Sequence, residues 1–153
     1  MMARFRFRLD ASLQLAHQVL ESAQLEYALE LQRWQACVHA CEVQKVRYVA
    51  AQENQRDAGR HRPEELGLCQ VFALEQRRQL RQCEANQREQ ELVMESARRR
   101  LLEAHREVEK YERLKEKQAV AFRADELQKE QKALDETGQV LHWLGKKSVS
   151  ELV

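Results

Sequence analysis

Asp57-Ala58-Gly59-Arg60-His61-Arg62-Pro63 is the one dense helix-breaking stretch in this chain, and its reading decides the fold. Only 4 Gly and 1 Pro occur in 153 residues, so few other places exist where a helix must stop. Glycine suits a helix end, and Pro63 followed by Glu64 and Glu65 suits the first turn of the next helix, where acidic side chains meet the positive end of the dipole. The expectation is an all-α chain of two long helices forming an antiparallel coiled-coil hairpin, the second helix longer than the first. As one domain, 1–153, it divides into helix one at about 8–58, a turn at 59–63, helix two at about 64–142 and a frayed tail at 145–153.

Outward from the turn, both flanks repeat apolar or small residues in alternating steps of three and four. Helix one carries Leu13, Ala16, Leu20, Ala23, Tyr27, Glu30, Trp34, Cys37, Cys41, Gln44, Tyr48 and Ala51. Helix two carries Ala73, Gln76, Leu80, Cys83, Gln87, Gln90, Met94, Ala97, Leu101, Ala104, Val108 and Tyr111. Of the 39 residues from 73 to 111, 17 are Asp, Glu, Lys or Arg, and none falls on that seam. A 3.5-residue repeat held this long requires helices that wrap round one another, since a straight helix drifts off such a stripe by about 20° per heptad. The seam is therefore read as Leu13, Leu20, Tyr27, Trp34, Cys41, Tyr48, Leu80, Cys83, Met94, Leu101, Val108 and Tyr111. With the turn centred near residue 62, Cys41 is expected to face Cys83, Trp34 to face Gln90 and Tyr48 to face Gln76.

That register leaves Leu9 opposite Lys115 and gives residues from Glu116 onward no partner. The overhang still has helical character: Val120, Leu127 and Leu134 repeat at seven residues, with Ala124 and Gln131 on the same side. A stop is expected near Gly145, where Lys146 and Lys147 suit a helix C-terminus. An apolar stripe without an intrachain partner marks a binding face, so Glu116 to Leu141 is the candidate docking element.

Composition bounds the function. The 26 basic and 25 acidic residues leave +1, against the concentrated basic face that phosphate backbones demand, so nucleic acid is not an expected partner. A mean hydropathy of -0.74 and the absence of a run of about 18 apolar residues argue against a membrane span. The lead-in, with Arg4, Arg6 and Arg8 interleaved with Phe5 and Phe7, lacks the apolar stretch of a secretory signal, so a cytoplasmic location is expected. Cys37, Cys41, Cys69 and Cys83 form no Cys-x-x-Cys pair and read as small hydrophobes rather than as a disulfide framework. His17, His39, His61, His105 and His142 are scattered, without metal-site spacing. No phosphate loop or nucleophile elbow is present, and a two-helix coil offers no concave site, so neither catalysis nor a cofactor is expected.

Two segments resemble a known family. FRFRLDASLQLAHQVLESAQLEYALE, residues 5–30, and more specifically YERLKEKQAVAFRADELQKEQKALDE, residues 111–136, resemble the start and the late motif of the FliJ family, the soluble coiled-coil component of the flagellar type III export apparatus. The resemblance implies a stalk or coupling factor whose terminal ends enter the ring of the export ATPase FliI. It also implies hairpin contacts with the export gate FlhA and with export chaperones, and peripheral membrane association only through these partners. Toward the ring, Phe5, Phe7, Phe122, Leu127 and Leu134 are the candidate apolar anchors, with Arg113, Lys117 and Arg123 supplying charge. Periodicity alone equally permits a free-standing cytoplasmic scaffold or adaptor with no ATPase partner.

Overall fold

In the computed structural model, which describes residues 3–151, the elements run α1 (Asp10–His61), a short 3-10 turn (Pro63–Glu65) and α2 (Leu66–Glu151). Helix α1 has 52 residues and α2 has 86, and no strand occurs among the described residues. The chain forms two compact units, one of residues 16–106 and one made of the amino-terminal residues to Leu15 together with Glu107 onward.

In the unit 16–106 the two helices run antiparallel. Glu26 meets Arg100 at 2.8 Å, Gln90 donates to the Glu30 carboxylate, Gln44 donates to Gln76 Oε1 at 2.8 Å, and Asn54 reaches Cys69. Ala16, Leu20, Ala23, Cys41, Ala51, Ala58, Cys69, Ala73, Met94, Ala97 and Ala104 are buried, all but Ala58 and Cys69 on the expected seam. Tyr27, Trp34, Tyr48, Leu80, Cys83 and Leu101 are half-buried on the same stripe. Substituting Leu20 with Ala is expected to cost about 2 kcal/mol, the lower end for a buried leucine because a two-helix seam collapses easily. Leu80→Ala and Leu101→Ala, at half-buried sites, are expected to cost less. Thermal melting of the three variants reads the order directly.

Cys41 lies near enough to Cys83 for the two thiols to interact, as the expected register has it, while the longer side chains at Gln76 and Gln90 reach one helical turn away. Gln76 and Gln90 are taken by Gln44 and Glu30, one helical turn before Tyr48 and Trp34. The side chains also reach main chain: Gln44 Nε2 donates to the Gln76 carbonyl at 3.1 Å and Gln90 Nε2 to the Glu30 carbonyl at 3.4 Å. With Gln90 engaged elsewhere, the Trp34 indole N–H is buried without an acceptor among the described residues.

Three boundaries also shift. Helix α1 starts at Asp10, whose N–H is received by the Phe7 carbonyl at 3.1 Å, and passes through Gly59 to end at His61. No glycine has positive φ among the described residues, so Gly59 is not the stop. Arg62 makes the corner instead, its guanidinium spanning Asn54 at 2.9 Å, Asp57 at 3.2 Å and Glu65 at 2.9 Å. The tail expected to fray from 145 is helical to Glu151. A glycine inside a helix costs only about 1 kcal/mol against alanine, and its neighbours Leu144, Lys146 and Lys147 tolerate helix well.

Candidate functional site

The second unit has a small core of Phe7, Leu13 and Val108. Asp10, in the first turn of α1, lies 3.7 Å from Lys115. Ahead of the helix the lead-in continues along α2, and the Phe5 ring packs against Phe122 with centroids 5.6 Å apart and planes tilted by 47°, within the preferred range for aromatic pairs. Beyond this pair, Ala3, Phe122, Arg123, Glu126, Leu127 and Glu130 line an open groove of about 340 Å³.

The intrachain cover therefore extends further than expected. Lys115, Ala119, Phe122 and Glu126 are half-buried, in steps of four, three and four, so the segment from Glu116 does not start out bare. From Leu127 to Ser150 every residue is exposed. Continued in the same steps, the covered face becomes Lys129, Ala133, Glu136, Val140 and Trp143. Val120, Leu127 and Leu134 lie on a neighbouring stripe, at 58%, 65% and 72% exposure.

Of the residues singled out for docking, the structure brings Phe5, Phe122, Arg123 and Leu127 together at the groove. Phe7 is 7% exposed and serves the core, so it is not an accessible anchor. Arg113 is exposed and 3.7 Å from Glu109. Lys117 and Arg123 are exposed and make no ion pair among the described residues, whereas Lys129 is held between Asp125 at 3.3 Å and Glu126 at 3.8 Å. Leu134 stands alone, two helical turns beyond the groove residue Leu127.

Sequence reasoning missed two features. Ending helix two at about 142 left out the exposed apolar residues Trp143, Leu144 and Val149, which follow Val140 and Leu141 in one helix, with Lys147 lying over the Trp143 ring at 5.1 Å. Within the hairpin unit, Arg47, Ala50, Ala51, Asn54, Phe72 and Gln76 line a hollow of about 510 Å³. Phe72 is 54% exposed there and sits beside the seam position Ala73, so a search restricted to seam positions passes over it.

The titration pattern does not single out a reactive centre. Burial pushes the Cys41 thiol above its ordinary value, and Cys83, Glu84 and Cys37 add to the effect. Hydrogen bonds from Arg78 and Gln79 lower the Glu75 carboxyl on an open helix face. Among the described residues no group of three or more His, Cys, Asp or Glu is placed to hold a metal ion, and no helix is long and apolar enough to cross a membrane.

Residues 61–147 match the family model described as flagellar FliJ protein. No curated protein and no solved structure matches the chain.

Proposed function

Because this chain belongs to the flagellar FliJ family, and so is a component of the flagellar protein-export machinery, we propose that it acts there without catalysis, as a stalk and coupling factor docked on the ring of the export ATPase FliI. The observation that carries the reading is the distal part of α2. Every side chain from Leu127 to Ser150 is exposed, yet Leu127, Leu134, Val140, Leu141, Trp143 and Leu144 are among them. An amphipathic helix with a bare apolar face suits a hydrophobic groove or ring lumen supplied by a partner. The aromatic groove of Phe5 and Phe122 stands at the base of this segment, and the unpaired cations Lys117 and Arg123 flank it for acidic loops of the ring.

A helix inserted in a ring touches successive subunits through one asymmetric surface and biases which of them closes, with no chemistry of its own. The hairpin unit is read as the contact for the export gate FlhA and for export chaperones, supported by the hollow at the exposed Phe72. The protein is then cytoplasmic and held at the inner membrane face through these partners. The rival reading, a free-standing scaffold or adaptor, has no ATPase contact.

Leu127→Asp with Leu134→Asp separates the two. Both residues are exposed, so the doubly substituted chain is expected to melt within about 0.5 kcal/mol of the parent. Binding to the purified export ATPase and stimulation of its hydrolysis are expected to fall at least tenfold, equivalent to about 1.4 kcal/mol. Undiminished stimulation removes these leucines from the interface, and no binding by the parent chain favours the scaffold.

A further inference from the structure

The end of α2 is set apart by its charge pattern. Between Glu136 and Glu151 lie 14 residues without Asp or Glu, the longest such run in the chain, and the only Lys or Arg among them are Lys146 and Lys147. Further back in the same helix bases sit among acids, as Lys129 does between Asp125 and Glu126. Lys147 lies over an aromatic ring, its Nζ 5.1 Å from the centre of Trp143.

The same run carries Val140, Leu141, Trp143 and Leu144, each at least half exposed. At 3.6 residues per turn these four share one side of the helix, in the order Trp143, Val140, Leu144 and Leu141. Lys147, one turn on from Trp143, closes that side toward the helix end, and Lys146 stands on its border. Gly138, His142 and Gly145 occupy the opposite side. The apolar side from Val140 to Leu144 covers only about one and a half turns, less than the i to i+7 span by which a protein groove reads a helix. A short apolar face that contains Trp and is bordered by lysines is what a helix lying at a lipid interface presents. Trp and Leu enter the headgroup boundary, while each lysine stem lies along the apolar surface and keeps its ammonium among the phosphates. With no carboxylate in the run, nothing there opposes a negatively charged surface.

We propose that α2 from Val140 to Lys147 binds the surface of an anionic phospholipid bilayer directly, with no protein between. Among the described residues no helix is long and apolar enough to cross a membrane, so the segment lies on one leaflet. Such a contact is independent of ATPase docking through Leu127 and Leu134 and of membrane attachment through partners. Turns held in lipid cannot also lie in a ring, so the membrane-bound chain and the docked chain are separate states.

The test is to sediment the full chain with vesicles of phosphatidylglycerol and, separately, of phosphatidylcholine. Binding about tenfold stronger to phosphatidylglycerol is expected at low salt, the difference shrinking as salt screens the lysines. Lys146→Glu with Lys147→Glu is expected to remove that preference, and Trp143→Ser with Leu144→Ser to weaken binding to both lipids about tenfold. All four positions are exposed, so these variants are expected to melt like the parent. Leu127→Ser with Leu134→Ser is expected to keep vesicle binding, which sets the lipid contact apart from ATPase docking. Equal binding to the two lipids, a preference that survives in the lysine variant, or loss of vesicle binding in the leucine variant would each overturn the proposal. Absence of vesicle binding overturns it too: ATPase binding lost in the lysine variant then assigns these turns to a protein partner, and ATPase binding kept leaves the docking through Leu127 and Leu134 standing alone.

Discussion

A chain ending after Glu130 is expected to melt like the full-length protein and to lose co-purification with the export ATPase, together with any stimulation of its hydrolysis. From Leu127 to Ser150 α2 buries no side chain in the described structure, so its removal takes away solvated helix and no packing. The groove residues Phe122, Arg123, Glu126, Leu127 and Glu130 stay, and with them the Phe5 contact. A shorter chain ending after Lys115 behaves differently. It deletes Phe122, strips Phe5 of its aromatic partner and loosens the cover over Phe7, so it is expected to lose stability as well as binding. Uncovering one phenylalanine costs about 1.5 to 3 kcal/mol. Sequence alone treats these two cuts as equivalent, because it places the unpartnered region at Glu116 and gives the lead-in nothing to pack on. If the chain ending after Glu130 stimulates hydrolysis normally, docking resides in the groove and the distal face is not needed. If only the shorter chain fails, Phe5 and Phe122 carry the contact.

The hairpin was legible because one motif, Gly59 to Pro63, interrupts an otherwise unbroken 3.5-residue pattern. Which residues line the seam was legible from the same pattern. How the two seams mesh was not. Steps of three and four recur in both helices, so a slide of half a heptad places every seam residue on the seam again, and turn position alone cannot choose between the two alignments. Polar reach adds what periodicity lacks: Gln44 and Gln90 find main-chain carbonyls on the other helix, and Cys83 acts on the Cys41 thiol. Glu30 looked like a flaw in the seam, yet it is buried, paired with Arg33 at 2.8 Å and hydrogen-bonded by Gln90, so the layer is satisfied as a unit.

At the candidate site the aromatic and charged residue types were legible, and their grouping was not. Phe5 and Phe7 are two residues apart, a spacing that puts side chains on one face of an extended segment. One packs on Phe122 and the other enters the core. No periodicity reports which is which. The distal apolar residues from Trp143 to Val149 were obscured by the stop expected near Gly145, but φ is not positive there and the helix runs on.

Ala97 has the least exposed surface on the α2 seam, and Ala97→Phe tests how closely the helices approach there. Ala97 has no exposed surface, and nothing lies within the seam to yield to a ring except the facing helix. Overpacking of this kind costs about 1 to 3 kcal/mol in a compact core, and a phenyl ring in an alanine layer belongs at the upper end, about 3 kcal/mol. A midpoint lowered by about 6 to 12 °C is therefore expected for a chain of this size, at about 2 to 4 °C per kcal/mol. Ala85→Phe, at an exposed position on the same helix, is expected to leave melting nearly unchanged and controls for the intrinsic helix propensity of phenylalanine. A loss below about 1 kcal/mol at position 97 would show that the helices are further apart there than the burial of Ala97 indicates.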